Sequence, residues 1–247
     1  MNSKVWNIGL LVLIMGLFSC EKAHLGDCFK SAGEKTTEFR NLTAFHRVNL
    51  HDNVNLVIEQ GYETSCVVET GKNLLKGITT EVSEYGVLEI RNGNECNWVR
   101  SYDQPLTVYL RVQHLDTLEY KSIGNVSMKD TLFQDRFVVN LYEGAGKLDL
   151  LIHANEAQIG LHYGTQELLV SGICGLVYAY SSGFGVVDLR DLQVSLLYVS
   201  NMSSNHMYVR SSSILDATIK GLGNIYYYDD PEVSFNKIGQ GNLIHVN

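Results

Sequence analysis

Two prolines, two tryptophans and only 19 lysines and arginines in 247 residues are low counts, and each excludes something. So little proline beside 22 glycines rules out a collagen-like or proline-rich disordered chain. The basic residues are outnumbered by 27 acidic ones, the formal charge is −8, and no Lys/Arg cluster breaks that balance, so no nucleic-acid partner is expected. The five cysteines include no Cys-x-x-Cys, which speaks against a zinc or thiol-redox site. The eight histidines form no His-Glu-x-x-His, and the acidic residues lack EF-hand spacing. No amphipathic run of helical length occurs. What remains is 45% apolar residues, enough for a sizeable core in one large all-β domain or two small ones.

The N-terminus reads as a processing signal rather than as fold. Lys4 precedes an apolar run from Ile8 to Phe18 that is too short for a stable membrane span. The run ends in Leu17-Phe18-Ser19-Cys20, a small residue directly before a cysteine. This has the form of a bacterial lipoprotein signal over residues 1–19, with Cys20 lipidated as the first residue of the mature chain. An ordinary secretory signal cleaved nearby is the alternative, and both export the protein. One acyl chain holds a protein marginally, whereas the two or three on a lipoprotein cysteine anchor it stably. Residues 20–39 are polar and read as a tether. Export permits disulfides, and Cys28 with Cys96 is the candidate pair. Cys174 lies in an apolar run and is expected to be a buried free thiol.

The rest of the chain has a period. Gly124, Gly146, Gln166, Gly185, Asn205, Gly223 and Gly241 recur at intervals of about 20 residues. Two residues before each stands a glycine or serine, from Ser122 to Gly239. Two residues after each stands an apolar residue: Val126, Leu148, Leu168, Val187, Met207, Ile225 and Leu243. Each unit therefore opens small-x-small and continues in period-2 alternation, a strand with one buried face. A second strand-like run closes most units, as in FVVNLY, AQIGLHY, LVYAYSS and VSLLYVS. Short strands at this period predict an all-β solenoid that buries an apolar ladder from turn to turn. A sandwich of evenly spaced hairpins is the alternative.

The pattern also decides what the glycines of GLGNIYYY at 221–228 do. A phosphate-binding loop needs a helix N-terminus after it, whereas here a strand follows and the motif repeats along the chain. Gly221 and Gly223 are read as one rung in a stack of corners, where positive φ or close approach of the backbone calls for small residues. Residues 118–247 carry the regular rungs. Residues 40–118 hold longer strands, with a short helical turn at KNLLKGI, and are expected to cap the coil as an atypical β-rich end.

With the lipoprotein signal, FHRVNLHDNVNLVIEQG, GKNLLKGITTEV with GVLEI, and KGLGNIYYYDDPEV, residues 40–247 resemble the family described as putative auto-transporter adhesin, head GIN domain. That resemblance implies a single-stranded parallel β-helix, export in a Gram-negative bacterium, and an adhesive role. It implies no catalytic residue, no cofactor and no defined ligand. It points to an outer-membrane lipoprotein facing either the periplasm or the cell surface.

The residues themselves offer one candidate surface. Three positions after the corner stand Asp188, Tyr208 and Tyr226, and five after stand Arg190, Arg210 and Tyr228. Neighbouring rungs about 4.8 Å apart would gather these six side chains on one sheet face. Tyrosine offers a flat apolar ring with a polar handle, suited to a sugar ring or another protein. The competing reading is that they only reinforce the sheet, at about 0.2–1 kcal/mol per cross-strand pair. His46 and His51 point to opposite strand faces, His153 and His162 read as surface or edge residues, and Ser211 to Ser213 read as a turn. Three functions follow. The first is an exported, lipid-anchored binding module contacting glycan or protein through the Tyr/Arg/Asp face. The second is a non-catalytic envelope structural protein. The third is an enzyme acting on polysaccharide, which would need two carboxylates about 5–10 Å apart in a groove.

Overall fold

A computed structural model describes residues 31–94 and 105–247. The signal segment, Cys20 and the Cys28–Cys96 pair fall outside the described residues. The chain coils into a parallel β-solenoid whose two long ladders face each other across an apolar interior.

The first ladder stacks, in spatial order, β7 (Thr107–Val112), β3 (Asn55–Gln60), β9 (Val126–Met128), the first halves of β11 (Lys147–Leu161) and β12 (Glu167–Ser181), then β13 (Val186–Leu189), β15 (Met207–Arg210), β17 (Ile225–Tyr228) and β19 (Leu243–His245). The second stacks β6 (Val87–Asn92), β2 (Arg47–Asp52), β8 (Thr117–Ser122), the end of β10 (Leu132–Gly144), the ends of β11 and β12, then β14 (Leu192–Asn201), β16 (Ile214–Ile219) and β18 (Glu232–Lys237). All of these pairings are parallel. A shorter third ladder runs through residues 132–136, 152–156, 172–176 and 192–196, where the long strands bend between the two faces.

The apolar column read from the sequence is the register of the first ladder. Val126 pairs with Leu148, Leu148 with Leu168, Leu168 with Val187, Val187 with Met207, Met207 with Ile225, and Ile225 with Leu243. The first six are buried, while Leu243 packs half-buried at the end of the core. At about 25 cal/mol per Å² of apolar surface removed from water, this stack and the buried column Leu118, Val139, Ile159, Ala179, Val199 and Ala217 of the second ladder supply the main stabilising term.

The parallel stack reaches further toward the N-terminus than residue 118, and there chain order and spatial order part. The rung made by β2 and β3 lies between β6/β7 on one side and β8/β9 on the other. Beyond β7 the ladder is closed by antiparallel β4 (Ser65–Gly71) and β1 (Lys35–Arg40), and beyond β6 by antiparallel β5 (Ile78–Val82). The expected cap is therefore present, with a 3-10 helix at Leu75–Gly77 inside KNLLKGI. Strand β1 falls partly within the stretch expected to be tether, so the ordered fold begins before residue 40. Its alternate positions are half-buried against β4, which gives those polar residues a hydrogen-bonded place.

The corner glycines act mainly through space rather than backbone conformation. Gly144 and Gly164 have positive φ, but the other glycines of the small-x-small columns do not. A Cβ on Gly223 would overlap the carbonyl oxygen of Asn205, and one on Gly241 would overlap that of Gly223. Each corner sits directly on the corner of the preceding rung. Where serine replaces glycine, its hydroxyl bonds the neighbouring corner instead: Ser122 Oγ donates to the Asp52 carbonyl at 2.8 Å, and Ser203 Oγ to that of Gly183. Inside the corner, the buried Tyr120 donates to the Gly124 carbonyl at 2.6 Å and accepts from the Gly146 N–H at 3.0 Å. Asn201 holds the Ser203 N–H at 2.9 Å and the Asn205 carbonyl at 3.0 Å from the equivalent column. Gln166 is fully buried, and neither atom of its amide has a partner.

Cys66 and Cys174 are buried free thiols, each pushed up to about 11 by burial. Both should resist iodoacetamide at pH 8 in the native protein and react once it is unfolded, read by intact mass. Gly223→Ala should lower stability by about 1–3 kcal/mol through the forced corner overlap. Gly93→Ala, whose Cβ would stand at ordinary contact distance from the Gly77 carbonyl, should change it by less than about 0.5 kcal/mol. Thermal melts of the two variants compare them directly.

Candidate functional site

All six predicted residues meet on the outward face of the first ladder. Asp188, Tyr208 and Tyr226 are register partners on β13, β15 and β17, and Arg210 is opposite Tyr228. The rings of Tyr208 and Tyr226 stack at 5.2 Å with 14° between their planes. The Arg190 guanidinium lies 4.6 Å from the centre of the Tyr208 ring, and that of Arg210 lies 5.8 Å from Tyr228. Both arrangements suit a cation over an aromatic face.

The strip is also tied to itself. Arg190 grips both carboxylate oxygens of Asp188 at 2.9 Å through Nε, and these hydrogen bonds hold the guanidinium more firmly protonated than usual. Asn224 donates to the Tyr226 hydroxyl at 3.2 Å, and His206 meets the Tyr226 ring edge-on at 5.3 Å. Arg210 sits 3.8 Å from the Asp229 carboxylate, too far for a hydrogen bond. Asp188, Arg190 and Tyr226 are thus satisfied within the face, whereas the Arg210 Nε has no hydrogen-bond partner.

A second aromatic surface lies on the outward face of the other ladder, and the corner-based alignment passed over it. Tyr178 and Tyr198 stack at 5.2 Å and 18°, each more than a third exposed. Tyr142 and His162 stack at 4.8 Å and 18°, and His162 meets Tyr180 at 5.5 Å. Partial burial lowers the His162 pKa, so the ring favours its neutral form, and it pairs with Asn140 Oδ1 at 3.1 Å. Between these aromatic groups lies a concavity of about 410 Å³. Its signal was in the second strand-like run of each unit, where Tyr142, His162, Tyr178, Tyr180 and Tyr198 occupy outward positions of FVVNLY, AQIGLHY, LVYAYSS and VSLLYVS.

The remaining candidates have structural partners. His51 bonds Glu89 at 2.8 Å, His153 stacks on Phe133 at 5.2 Å, and Ser211 Oγ donates to the Ile214 carbonyl at 2.7 Å. Among the described residues, no group of three His, Cys, Asp or Glu side chains could hold a metal ion. The concavity on the second ladder has one carboxylate in its lining, Asp216.

Glu89 and Glu59 are both held below the ordinary carboxylate range, Glu59 by hydrogen bonds from Arg111 and Lys129, and of the two Glu89 feels burial more strongly. Burial pushes its pKa up, but hydrogen bonds from Asn49 at 2.6 Å and from His51, with the charges of His51 and Arg91, hold it below the ordinary 4.5. A depressed carboxylate contributes stability above its unfolded value and loses that contribution as pH falls through the folded one. The melting temperature should therefore drop as pH is lowered below about 4.5, and Glu89→Gln should flatten that part of the curve relative to wild type. Melts at pH 6, 5, 4 and 3 check this.

A search of curated proteins found no match. Among solved structures, a putative adhesin from Bacteroides fragilis superposes with a TM-score of 0.77 at 17% identity, over 86% of this chain and 97% of its own. A putative adhesin from Parabacteroides distasonis gives 0.71 at 17% identity, over 87% and 98%. A putative lipid binding protein from the same organism gives 0.69 at 20% identity, over 87% and 98%. These likenesses show a shared fold. Residues 44–231, covering both ladders through β17, match the family pattern described as putative auto-transporter adhesin, head GIN domain, and the chain belongs to that family.

Proposed function

We propose that this protein is an exported binding module of the bacterial outer membrane, held by lipid on Cys20, which contacts glycan or protein through aromatic residues on the outer faces of its solenoid. One observation carries the reading: tyrosines recur in ladder register on both outward faces, half-buried on the first and more than a third exposed at Tyr178 and Tyr198 on the second. On the first ladder Tyr208 and Tyr226 form a flat strip with Arg190 and Arg210 beside it. Flat, amphipathic rings on a rigid sheet make contact area with little ordering cost, which is what a recognition surface needs. The adhesin family and the adhesin relatives support the same role.

The Asp188–Arg190 tie favours a second reading, an envelope structural protein in which this strip only stiffens the sheet. A glycan and protein binding panel with the full chain separates the two. The binding reading expects a ligand, and expects Tyr208→Ala/Tyr226→Ala/Tyr228→Ala to weaken it by about tenfold or more if the first face is used, with the circular dichroism spectrum unchanged. No ligand across the panel for well-folded protein points to the structural role. Separately, Cys20→Ser should move the protein from the membrane to the soluble fraction on cell fractionation, and a Cys20→Ser protein still sedimenting with membranes would overturn the lipid anchor.

A further inference from the structure

The two outward faces differ in shape and in part of their polar bonding. On the first ladder Arg190 and Asp188 are spent on each other, while the Nε of Arg210 has no hydrogen-bond partner. On the second ladder, among the described residues, the hydroxyls of Tyr178 and Tyr198 and the carboxylate of Asp216 make no hydrogen bond or ion pair with the rest of the protein. They stand at the rim of the concavity between the two aromatic groups.

Its shape follows from two adjacent outward columns. Gln158, Tyr178, Tyr198 and Asp216 are successive register partners in one. Asn140, Gly160, Tyr180, Ser200 and Thr218 are partners in the next, two residues along the strands. Ser200 leaves one side of the Tyr180 ring open, while the space over the buried Gly160 on the other side is taken by the Asn140 amide and by the His162 ring, which meets Tyr180 at 5.5 Å. The columns are about 6.8 Å apart along the strand and the rungs about 4.8 Å apart. This leaves an open trough with rings on its walls, small residues on its floor, and amide, hydroxyl and carboxylate groups at its rim.

We propose that this trough is a carbohydrate-binding site for a neutral glycan, with a pyranose ring laid against Tyr178 and Tyr198 and its hydroxyls bonded by the groups at the rim. A pyranose has a C–H face that packs on an aromatic ring and an equatorial rim of hydroxyls, which this surface complements. An acyl chain fits it poorly, because an open trough would leave the chain wet and the polar rim unsatisfied. An acidic glycan fits it poorly as well, since the lining carries Asp216 and no lysine or arginine. The inference rests on the reading of the chain as a binding module and adds a place and a ligand class to it.

The test is calorimetric titration of the full chain, in phospholipid nanodiscs, with cellohexaose, xylohexaose, mannohexaose and maltohexaose, and with a chondroitin hexasaccharide as the acidic comparison. At least one neutral hexasaccharide should bind. Tyr178→Ala/Tyr198→Ala should weaken it by about tenfold or more, and Ser200→Trp, which fills the trough from an outward position, should abolish it. Tyr178→Phe/Tyr198→Phe, which keeps the rings, should lose less. Tyr85→Ala, at an exposed turn away from both faces, should bind as wild type does, and the Tyr208→Ala/Tyr226→Ala variant is titrated alongside to read the other face. No binding of any neutral hexasaccharide, preference for the acidic one, or binding lost only in the Tyr208/Tyr226 variant would overturn the trough as the site. That last result would keep the protein a binding module and move its ligand to the first face, so the two readings fail separately.

Discussion

The close seating of one corner on the next sets everything else in this solenoid. Backbone carbonyls of one rung occupy the space where the glycines of the following rung would carry a Cβ, so the corners fix both spacing and register. Once the register is fixed, alternation along each strand sends one set of side chains into the core and the other to solvent without further instruction. The aromatic rows on the two faces are a by-product of that order. A residue type repeated every 20 positions becomes a row of side chains in contact, as Tyr178 with Tyr198 and Tyr208 with Tyr226 show.

The corners also show how much variation the arrangement absorbs. Serine at 122 and 203 exchanges the close approach for a hydrogen bond to the rung behind, and Tyr120 and Asn201 bring buried polar groups to meet it. Gln166 is the exception. It keeps the apolar spacing of its neighbours but buries an amide without partners, and the structure offers no physical account of why it is there.

Much of this was legible in the sequence because the period is regular where the rungs are. The column from Val126 to Leu243 could be read as a ladder, and the six residues of the first face could be placed together before any coordinates. The N-terminal part was legible only as strands. No local signal says that residues 47–60 lie between two segments that follow them in the chain, since that order depends on pairings 40 to 70 residues apart. The trough on the second face was missed for a different reason. Alignment on the glycine corners follows the strand that comes after each corner, whereas Tyr178, Tyr180 and Tyr198 lie on the strand before the next one, where unit lengths of 18 to 22 residues blur the columns. What opens the trough is the small Ser200 beside Tyr180, and a lack of bulk leaves little trace in a pattern search.

The interleaved order of the first rungs has a consequence for how the protein folds. From β10 onward each strand pairs with a segment about 20 residues away, so those rungs can add one after another, each closing a short loop on a surface already made. The rung of β2 and β3 has no such neighbour. Its partners are the distant β6, β7, β8 and β9, and the antiparallel pair of β4 and β1 has no place on the ladder until β7 is present. Loop closure on that scale is slow and entropically costly before the contacts form. The capped end is thus the bottleneck: its first rung stays incomplete until residues 87–128 are brought to it, and the remaining coil then has a finished template to wind on.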